Sequence, residues 1–564
     1  MEIKLKASDL PENIKKAEIT AIKVKAGDQI KAGEKIIELE ANKTTISLTT
    51  EQSGKIEEIL VEKGTAVEVG TVLMKIDIDI DQKESEAENN KQPQKNLESQ
   101  ITIIGGGPGG YVAALKAAKM GADVTLIEKE NLGGTCLNWG CIPTKALVRS
   151  AEIYNNLKNA AEFGCRAENI DFKWDEIIGR KNKIVNQLTN GIKSLLSKHK
   201  VEVITGRAEI VDKNTVLVVQ AEKELIINTA NIIIATGSKP IELPITTEAA
   251  KEYLLYSKKA LALAELPQKM AIIGGGVIGL EFAFIFSRLD VEVTIIEYLE
   301  EVLSFLDPDV IEEISEAAAE AGIEIYTGAE AKSVAATADN QALIEFEVAG
   351  HKNYITADKV LMAVGRQPDL GGLDLEKIGV ILANNTGGIE VNEKMQTAVD
   401  NIYAIGDCTG KTQLAHAASH QGIIAVKNIL NEKAEMDYNV IPTAVFTAPE
   451  IATVGLTEKE AANKGLEVKI GKFPVMANGK ALTLGETRGF VKIISDAEDD
   501  SVLGGTIVGP HATDLIAEIT LAVNNGLTTE AIIDTIHAHP TSAESIHEAA
   551  LALRPEGALH YYEE

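Results

Sequence analysis

Cysteine is scarce in this chain. There are four in 564 residues, with two tryptophans and aromatic side chains at 4% of the total. Cysteines spread so thinly exclude the disulfide scaffold of a small secreted domain. Basic residues are also short: 55 lysines and arginines stand against 84 aspartates and glutamates, a formal net charge of −29. A surface that negative repels phosphate backbones and anionic lipid, so neither nucleic acid nor a membrane is an expected partner. No uninterrupted apolar run approaches the ~20 residues of a membrane span. The opening MEIKLKASDLPENIKK has no apolar stretch of signal-peptide type. These absences point to a soluble, cytoplasmic protein, where a disulfide serves catalysis more often than structure. The rest is ordinary globular composition, 45% apolar and 25% charged, over a length that suggests three or four domains.

The first eighty residues contain an internal repeat. Shifted by 37, Ile19, Ile22, Val24, Gly27, Ile30, Gly33, Ile36 and Leu39 fall on Ile56, Ile59, Val61, Gly64, Val67, Gly70, Leu73 and Ile76. Short alternating apolar runs between glycine turns indicate strands, and two like halves indicate a small antiparallel barrel or sandwich with internal two-fold symmetry. Between the halves lies ELEANKTTISL, with Lys43 where a turn is expected. The stretch resembles the lipoyl domain of 2-oxo-acid dehydrogenase complexes and the related biotinyl domain, which carry their cofactor on a lysine at a hairpin tip. Biotinyl domains flank that lysine with Met. Here the neighbours are Asn42 and Thr44, which favours a lipoyl group on Lys43, although Asn42 stands where the lipoyl motif has Asp. This all-β domain is assigned to residues 1–78. Residues 79–100, polar and charged with no aromatic, read as a flexible linker. Its rms reach is roughly 25 Å and its limit about 70 Å.

An apolar strand then runs into Gly105-x-Gly107-x-x-Gly110, a small-residue helix, and a second strand ending at Glu128. Gly105 permits a tight turn, Gly107 lets the backbone approach a pyrophosphate at a helix N-terminus, and Gly110 lets helix and strand pack closely. Glu128 can accept hydrogen bonds from ribose hydroxyls. The unit recurs with Gly274, Gly276, Gly279 and Glu297. Two dinucleotide sites in one chain suggest electron transfer between two nucleotides. An acid at position 297 repels a 2′-phosphate, which favours NAD over NADP. The stretches IIIATGSKP (232–240) and LMAVGRQPD (361–369) are apolar strands that break at a glycine, and NIYAIGDCTG ends a strand at Gly406 and Asp407. Returning strands of this kind suit FAD, whose ribityl hydroxyls Asp407 can bind.

Two of the four cysteines, Cys136 and Cys141, lie together in NLGGTCLNWGCIPTKAL, eight residues after Glu128. On an ideal helix their Cα atoms would be about 8–9 Å apart, whereas a disulfide needs less than about 7 Å. Either the two are unbonded or the helix start is distorted, which Gly140 and Pro143 make easy. A strained bond would also be readily reduced. Two buried structural thiols are the alternative. Zinc would need a second ligand cluster, and none is present, so no metal is expected. Near the C-terminus, TIHAHPTSAESIHEA offers a general base for thiol chemistry, with a carboxylate to orient the imidazole. Locally His537, His539 and His547 are equally eligible, and the H-x-H pattern also admits a metal.

Together, GGTCLNWGCIPTK, the two dinucleotide units and HAHPTSAE resemble the two-dithiol flavoprotein disulfide reductases, dihydrolipoamide dehydrogenase among them, over residues 101–564. The resemblance implies two Rossmann-like α/β nucleotide-binding domains and a C-terminal α+β dimerisation domain. These divide as FAD domain 101–245, NAD domain 246–368, return to the FAD domain 369–438, and interface 439–564. It implies a redox-active disulfide, with Cys136 as the interchange thiol that meets substrate, Cys141 against the flavin, and Lys145 near the flavin ring. His539 would be the base and Glu544 its partner, supplied across a homodimer. Cys165 and Cys408 match no redox role and are read as buried or incidental. FAD would be held by Gly105, Gly107, Gly110, Glu128, Lys129, Gly134, Thr135, Lys145, Ala208, Thr236, Gly237, Ser238, Gly406, Asp407, Gln413, Leu414, Ala415 and His416. NAD would be held by Gly274, Gly276, Val277, Ile278, Gly279, Glu281, Glu297 and Gly365. The implied activity is NAD-linked oxidation of dihydrolipoamide on lipoylated proteins of a 2-oxo-acid, acetoin or glycine-cleavage complex. A sister disulfide reductase and a lipoyl carrier or scaffold subunit are the alternatives. NADPH-linked relatives fit poorly with Glu297, and no C-terminal cysteine pair is present for a mercuric reductase.

Overall fold

The structure, a computed structural model, describes residues 2–4, 16–30, 34–41, 44–50, 54–77, 95–221 and 223–562. It divides into two compact units, Met1–Gln94 and Lys95–Glu564.

The first unit is all-β. Strands Thr44–Thr49, Lys35–Ala41, Lys16–Ile22 and Ala66–Glu68 form one antiparallel sheet in that order. Glu2–Lys4, Val72–Asp77, Gly54–Ile59 and Gln29–Ile30 form the other. The repeat in the sequence reappears as matched burial. Ile19 and Ile56, Ile36 and Leu73, Leu39 and Ile76, and Ile30 and Val67 all lie in a single core. Gly27 and Gly64 both take positive φ, +93° and +88°, the conformation that glycine permits at a turn. The strands flanking the lipoyl-type turn pair as far as Ala41 and Thr44, while Asn42 and Lys43 lie outside the described residues.

The second unit begins earlier than its composition suggests. Lys95–Gln100 are not linker. They form the first part of strand Lys95–Ile104, which pairs in parallel with Glu224–Ile234 from Lys95–Leu225 to Ile104–Ile234. Backbone pairing carries a polar segment into the sheet, helped by Ser99, buried with its hydroxyl on the Ile101 carbonyl at 3.0 Å. This seven-stranded sheet also contains Val124–Glu128, Glu202–Thr205, Arg207–Asp212, Thr215–Val219 and the late strand Ile402–Ala404. Its parallel strands are covered on both faces, which is why ITII and VTLI read as unbroken apolar runs. Helix Pro108–Lys119 buries Ala113, Ala114 and Ala117 against helix Ala415–Ile429. A Cβ at Gly422 would lie 2.7 Å from the Gly109 carbonyl oxygen, so the two helices approach closely only because both residues are glycine.

A second, parallel sheet runs Leu254–Leu255, Lys359–Met362, Lys269–Ile273, Glu292–Ile296, Ile323–Tyr326. Its helix Val277–Arg288 is buried from Gly279 to Phe286, because it is packed on one side by the sheet and on the other by helix Cys141–Lys158. The chain passes from the first sheet to the second and back through two short strands, Ser238–Pro240 and Arg366–Pro368, which pair with each other. A five-stranded antiparallel sheet follows, in order Thr443–Val445, Ile451–Gly455, Val502–Val508, Phe490–Asp496 and Val468–Pro474. Within its buried strand FVKIISD, Lys492 is fully enclosed. Its ammonium is neutralised by Asp307 and Asp309, at the start of helix Pro308–Glu320, each at 2.8 Å, and by Glu458 at 2.7 Å. Among the described residues no helix is long and apolar enough to cross a membrane.

Candidate active site

The two glycine turns have the same construction. Gly105 has φ +109° and a Cβ there would lie 2.2 Å from the Ala235 carbonyl oxygen. At Gly274, φ is +108° and the distance to the Ala363 oxygen would be 2.5 Å. Gly107 and Gly276 cap helices Pro108–Lys119 and Val277–Arg288. A Cβ at Gly276 would meet nothing within 4 Å, and at Gly107 only the Gly134 Cα at 3.9 Å. Both helix N-termini therefore open onto free space, with amides and dipole available to an anion. The third glycines differ. A Cβ at Gly110 would lie 1.8 Å from the Gly105 oxygen, and at Gly279 1.9 Å from the Gly274 oxygen. Gly110 and Gly279 close the turn from behind and do not line the cleft. Expected as cofactor contacts, they are instead packing residues.

The acids at the strand ends clasp these turns. Glu128 accepts the N–H of Gly106 at 2.6 Å and of Glu130 at 2.7 Å. Glu297 accepts the N–H of Gly275 and, at 2.7 Å, that of Leu299. Each carboxylate oxygen keeps a second acceptor position for a ribose hydroxyl.

Both turns open into one continuous cavity of about 1820 Å³, roughly twice the volume of an ordinary ligand site. Apart from Gly110 and Gly279, every expected FAD and NAD contact lies on its wall. Asp407 sits there with its carboxylate accepting the Ser238 hydroxyl, while Arg366 donates to the Ser238 hydroxyl at 2.8 Å and to its carbonyl at 2.6 Å. Burial raises the Asp407 pKa. The Thr236 hydroxyl is buried on the same wall, beside the Cys408 thiol. Two open helix N-termini and a strand-end carboxylate fit a long dinucleotide such as FAD.

Cys136 and Cys141 lie on this wall, and the helix start between them is distorted. Cys136 belongs to the short helix Gly134–Trp139. The backbone breaks at Gly140, and Cys141 opens the next helix, Cys141–Lys158. A Cβ at Gly140 would lie 2.8 Å from the Thr135 carbonyl oxygen and 3.2 Å from the Cys136 Cα, so glycine is required for the reversal. Both are free thiols, set against each other in hydrogen-bonding contact, and the broken helix keeps the two sulfurs adjacent. The bond from Cys136 lowers the Cys141 pKa to about 7, assisted by the Lys145 ammonium. The same bond, with burial, raises that of Cys136. The thiolate of the pair therefore resides on Cys141.

Lys145, one turn along that helix, contacts both Glu281 carboxylate oxygens at 2.9 Å and lies 4.3 Å from the centroid of the Phe446 ring. Glu281, only 5% exposed, also accepts the Phe446 N–H at 3.0 Å. Glu281, expected as a nicotinamide-nucleotide contact, lies on the cavity wall and pairs there with Lys145 beside the cysteines. Sequence reasoning missed this pair. It also missed Arg366, although Arg366 stands in the glycine-broken stretch LMAVGRQPD, and Lys258, which lies over the Trp139 ring at 3.9 Å and pairs with Glu130. Lys129 pairs with Asp369 at 2.7 Å.

His539 and Glu544 lie outside the cavity lining. His539 is 80% exposed, with Nδ1 2.8 Å from Glu544 Oε1, while Glu544 Oε2 accepts the Thr541 N–H at 2.8 Å. Burial alone would raise the Glu544 pKa, but these two bonds outweigh it and lower it. The rival histidines are engaged. His537 is enclosed between Glu518 and the Thr535 carbonyl, both at 2.8 Å, and His547 bonds the Ile533 carbonyl at 3.2 Å. Cys165 is exposed and Cys408 is buried.

Comparisons with known proteins agree with this geometry. Residues 99–422 match the model of pyridine nucleotide-disulphide oxidoreductases, residues 441–550 their dimerisation domain, and residues 3–76 the domain described as biotin-requiring enzyme. Dihydrolipoyl dehydrogenase of Bacillus subtilis is 43% identical over 455 residues, covering 80% of this chain and 96% of the relative. That of Geobacillus stearothermophilus is 42% identical over 454 residues with the same coverage. Among solved structures, LpdA from Mycobacterium tuberculosis is similar at TM-score 0.76 and 30% identity, covering 81% of this chain and all of that one. The HOCl-induced flavoprotein disulfide reductase RclA of Escherichia coli, as its Cu(II) complex, is similar at TM-score 0.73 and 30% identity, covering 80% and 99%. With its twin glycine turns facing one cysteine pair, the chain belongs to the dihydrolipoyl dehydrogenase family of pyridine nucleotide-disulphide oxidoreductases.

Proposed function

We propose that this chain oxidises protein-bound dihydrolipoamide at the Cys136–Cys141 pair and reduces NAD⁺. The observation that carries the reading is the position of that pair, thiol against thiol, on the wall of one cleft served by two dinucleotide turns. FAD would be held by the Gly105–Gly107 turn, Glu128, Lys129, Gly134, Thr135, Ala208, Thr236–Ser238, Gly406, Asp407 and Gln413–His416. When bound, FAD would supply two-electron acceptor and hydride-donor chemistry beside the cysteine pair, and the Gly274–Gly276 turn with Glu297 would hold NAD⁺.

The protein's own part is thiol–disulfide exchange. His539, oriented by Glu544, removes a proton from a dihydrolipoamide thiol. The thiolate attacks Cys136 of the oxidised pair. A substrate–Cys136 bond forms, the Cys136–Cys141 bond breaks, and Cys141 leaves as thiolate. Its lowered pKa suits a leaving group. The second substrate thiol then displaces Cys136, closing the lipoyl ring and leaving two electrons on the pair. Lys145 stabilises the Cys141 thiolate, and Glu281 fixes Lys145 in place. The exposure of His539 on the single chain supports a homodimer in which it serves the neighbouring subunit's cleft. Lys43 carries a lipoyl group, which makes the N-terminal unit a tethered substrate or shuttle, and the partners are lipoylated proteins of a 2-oxo-acid, acetoin or glycine-cleavage complex in the cytoplasm. Cys136→Ser tests the assignment. Turnover of dihydrolipoamide should be abolished while FAD stays bound, and retained turnover refutes the thiol role.

A further inference from the structure

The stretch between Glu297 and helix Pro308–Glu320 lies directly behind the second glycine turn. The Gly275 N–H donates to Glu297, and the Leu303 N–H donates to the Gly275 carbonyl at 3.2 Å. The packing is as close as the bonding. A Cβ at Gly275 would lie 2.7 Å from Val302 Cγ1, and Val302 and Leu303 are both buried. Leu303 takes φ +45°, a left-handed conformation that is strained for a bulky side chain and persists only where its surroundings impose it. The Leu306 N–H bonds the Leu303 carbonyl at 2.9 Å, and the next residue, Asp307, stands at the N-cap of helix Pro308–Glu320.

Asp307 breaks a local rule. An aspartate at a helix N-cap ordinarily accepts an N–H of the first turn, but the Asp307 side chain makes no cap bond. Its carboxylate, 2% exposed, faces the Lys492 ammonium at 2.8 Å. Apart from that ammonium, neither oxygen has a hydrogen-bond partner among the described residues. Lys492 belongs to strand Phe490–Asp496 of the C-terminal sheet. A cation of that sheet therefore holds the far end of a strained loop whose near end backs the nucleotide turn.

We propose that Lys492 is a positioning residue for NAD⁺. By anchoring Asp307 it holds Leu303 against Gly275, and so keeps the Gly274–Gly276 turn and Glu297 in their binding geometry. The proposal rests on the reading of that turn as the NAD⁺ site.

The test is calorimetric titration of NAD⁺ into the intact holoenzyme, alongside kcat and KM for NAD⁺ and for dihydrolipoamide. Asp307→Asn removes the charge facing Lys492 but keeps a side chain that caps equally well, so the helix start survives. It should weaken NAD⁺ binding and raise KM for NAD⁺ by roughly 2- to 30-fold. The kcat at saturating NAD⁺ and the KM for dihydrolipoamide should not move. Lys492→Gln should do the same, and if it fails to fold Asp307→Asn decides alone. Arg488→Gln is the control. Arg488 pairs with Glu313 at 2.9 Å and with Glu320, further along the same helix, and its loss should leave NAD⁺ affinity unmoved. Unchanged affinity in Asp307→Asn or in folded Lys492→Gln overturns the proposal. An equal loss in Arg488→Gln, or an equal rise in both KM values, overturns it too, because any loosening of the helix would then suffice. Glu297→Ala separates the two readings. If NAD⁺ affinity survives that change, the site assignment falls and the proposal with it. If affinity is lost there while Asp307→Asn leaves it unmoved, only the role of Lys492 falls.

Discussion

Replacing Lys145 with Met should raise the Cys141 pKa and starve the site of thiolate at neutral pH. Lys145 holds both oxygens of Glu281 at 2.9 Å, and Glu281 is nearly enclosed. The ammonium helps to bring Cys141 to about 7, whereas the Glu281 charge works against it. Removing the cation also leaves the anion, so both changes act in the same direction. A neighbouring charge moves a pKa by roughly 1–3 units. At the low end, Cys141 moves to about 8, and the thiolate fraction at pH 7 falls from about one half to about one tenth. Isolating Glu281 as a buried charge should also cost about 3–5 kcal/mol of stability, offset by its Phe446 N–H bond. The assay is alkylation of Cys141 in the reduced holoenzyme against pH, followed by peptide mass. Lys145→Met should shift the midpoint up by about one unit, and the double change Lys145→Met with Glu281→Gln should bring it back, because both charges leave together. An unchanged midpoint in the single variant would refute the electrostatic account of the Cys141 thiolate.

His539→Ala should slow reduction by dihydrolipoamide by roughly 10²–10⁴-fold while NADH-to-acceptor transfer persists; equal losses in both would exclude a base role. Lys43→Arg should keep activity on free dihydrolipoamide but lack the lipoyl mass increment, and a normal increment would place the attachment elsewhere. Lys492→Met should lower the thermal unfolding temperature. It leaves three carboxylates within 4.8 Å of one another without their cation, a loss of about 3 kcal/mol, limited because Glu458 is 40% exposed and rehydrates. Although burial lowers the Lys492 pKa, its carboxylate partners raise it overall. The stabilisation is therefore present at neutral pH and disappears as pH rises through the raised value. Unchanged unfolding would show that the cluster contributes nothing.

What the sequence revealed were features whose physical need is local. Gly105 and Gly274 must turn where a side chain would strike a carbonyl one residue beyond a distant strand's end, yet the glycine spacing alone marks them. Gly140 between two cysteines signals a broken helix for the same reason. Features completed by distant residues stayed hidden. Glu281 lies on the helix of the second dinucleotide unit, and its partner is 136 residues earlier. Lys492 looks like an interruption in FVKIISD until Asp309, 183 residues away, is beside it. Lys95–Gln100 have a linker's composition, but strand pairing depends on the backbone, which composition does not report.

Ser238–Pro240 and Arg366–Pro368 lie side by side, hydrogen-bonded to each other and tied by Arg366 to Ser238. The stretch between them, with the second glycine turn and Glu297, thus enters and leaves through adjacent points. A segment with neighbouring ends can be exchanged whole, in evolution or at the bench, without retying the rest of the chain. The choice of pyridine nucleotide becomes a detachable property of this fold, while the sulfur chemistry stays with the body that receives it.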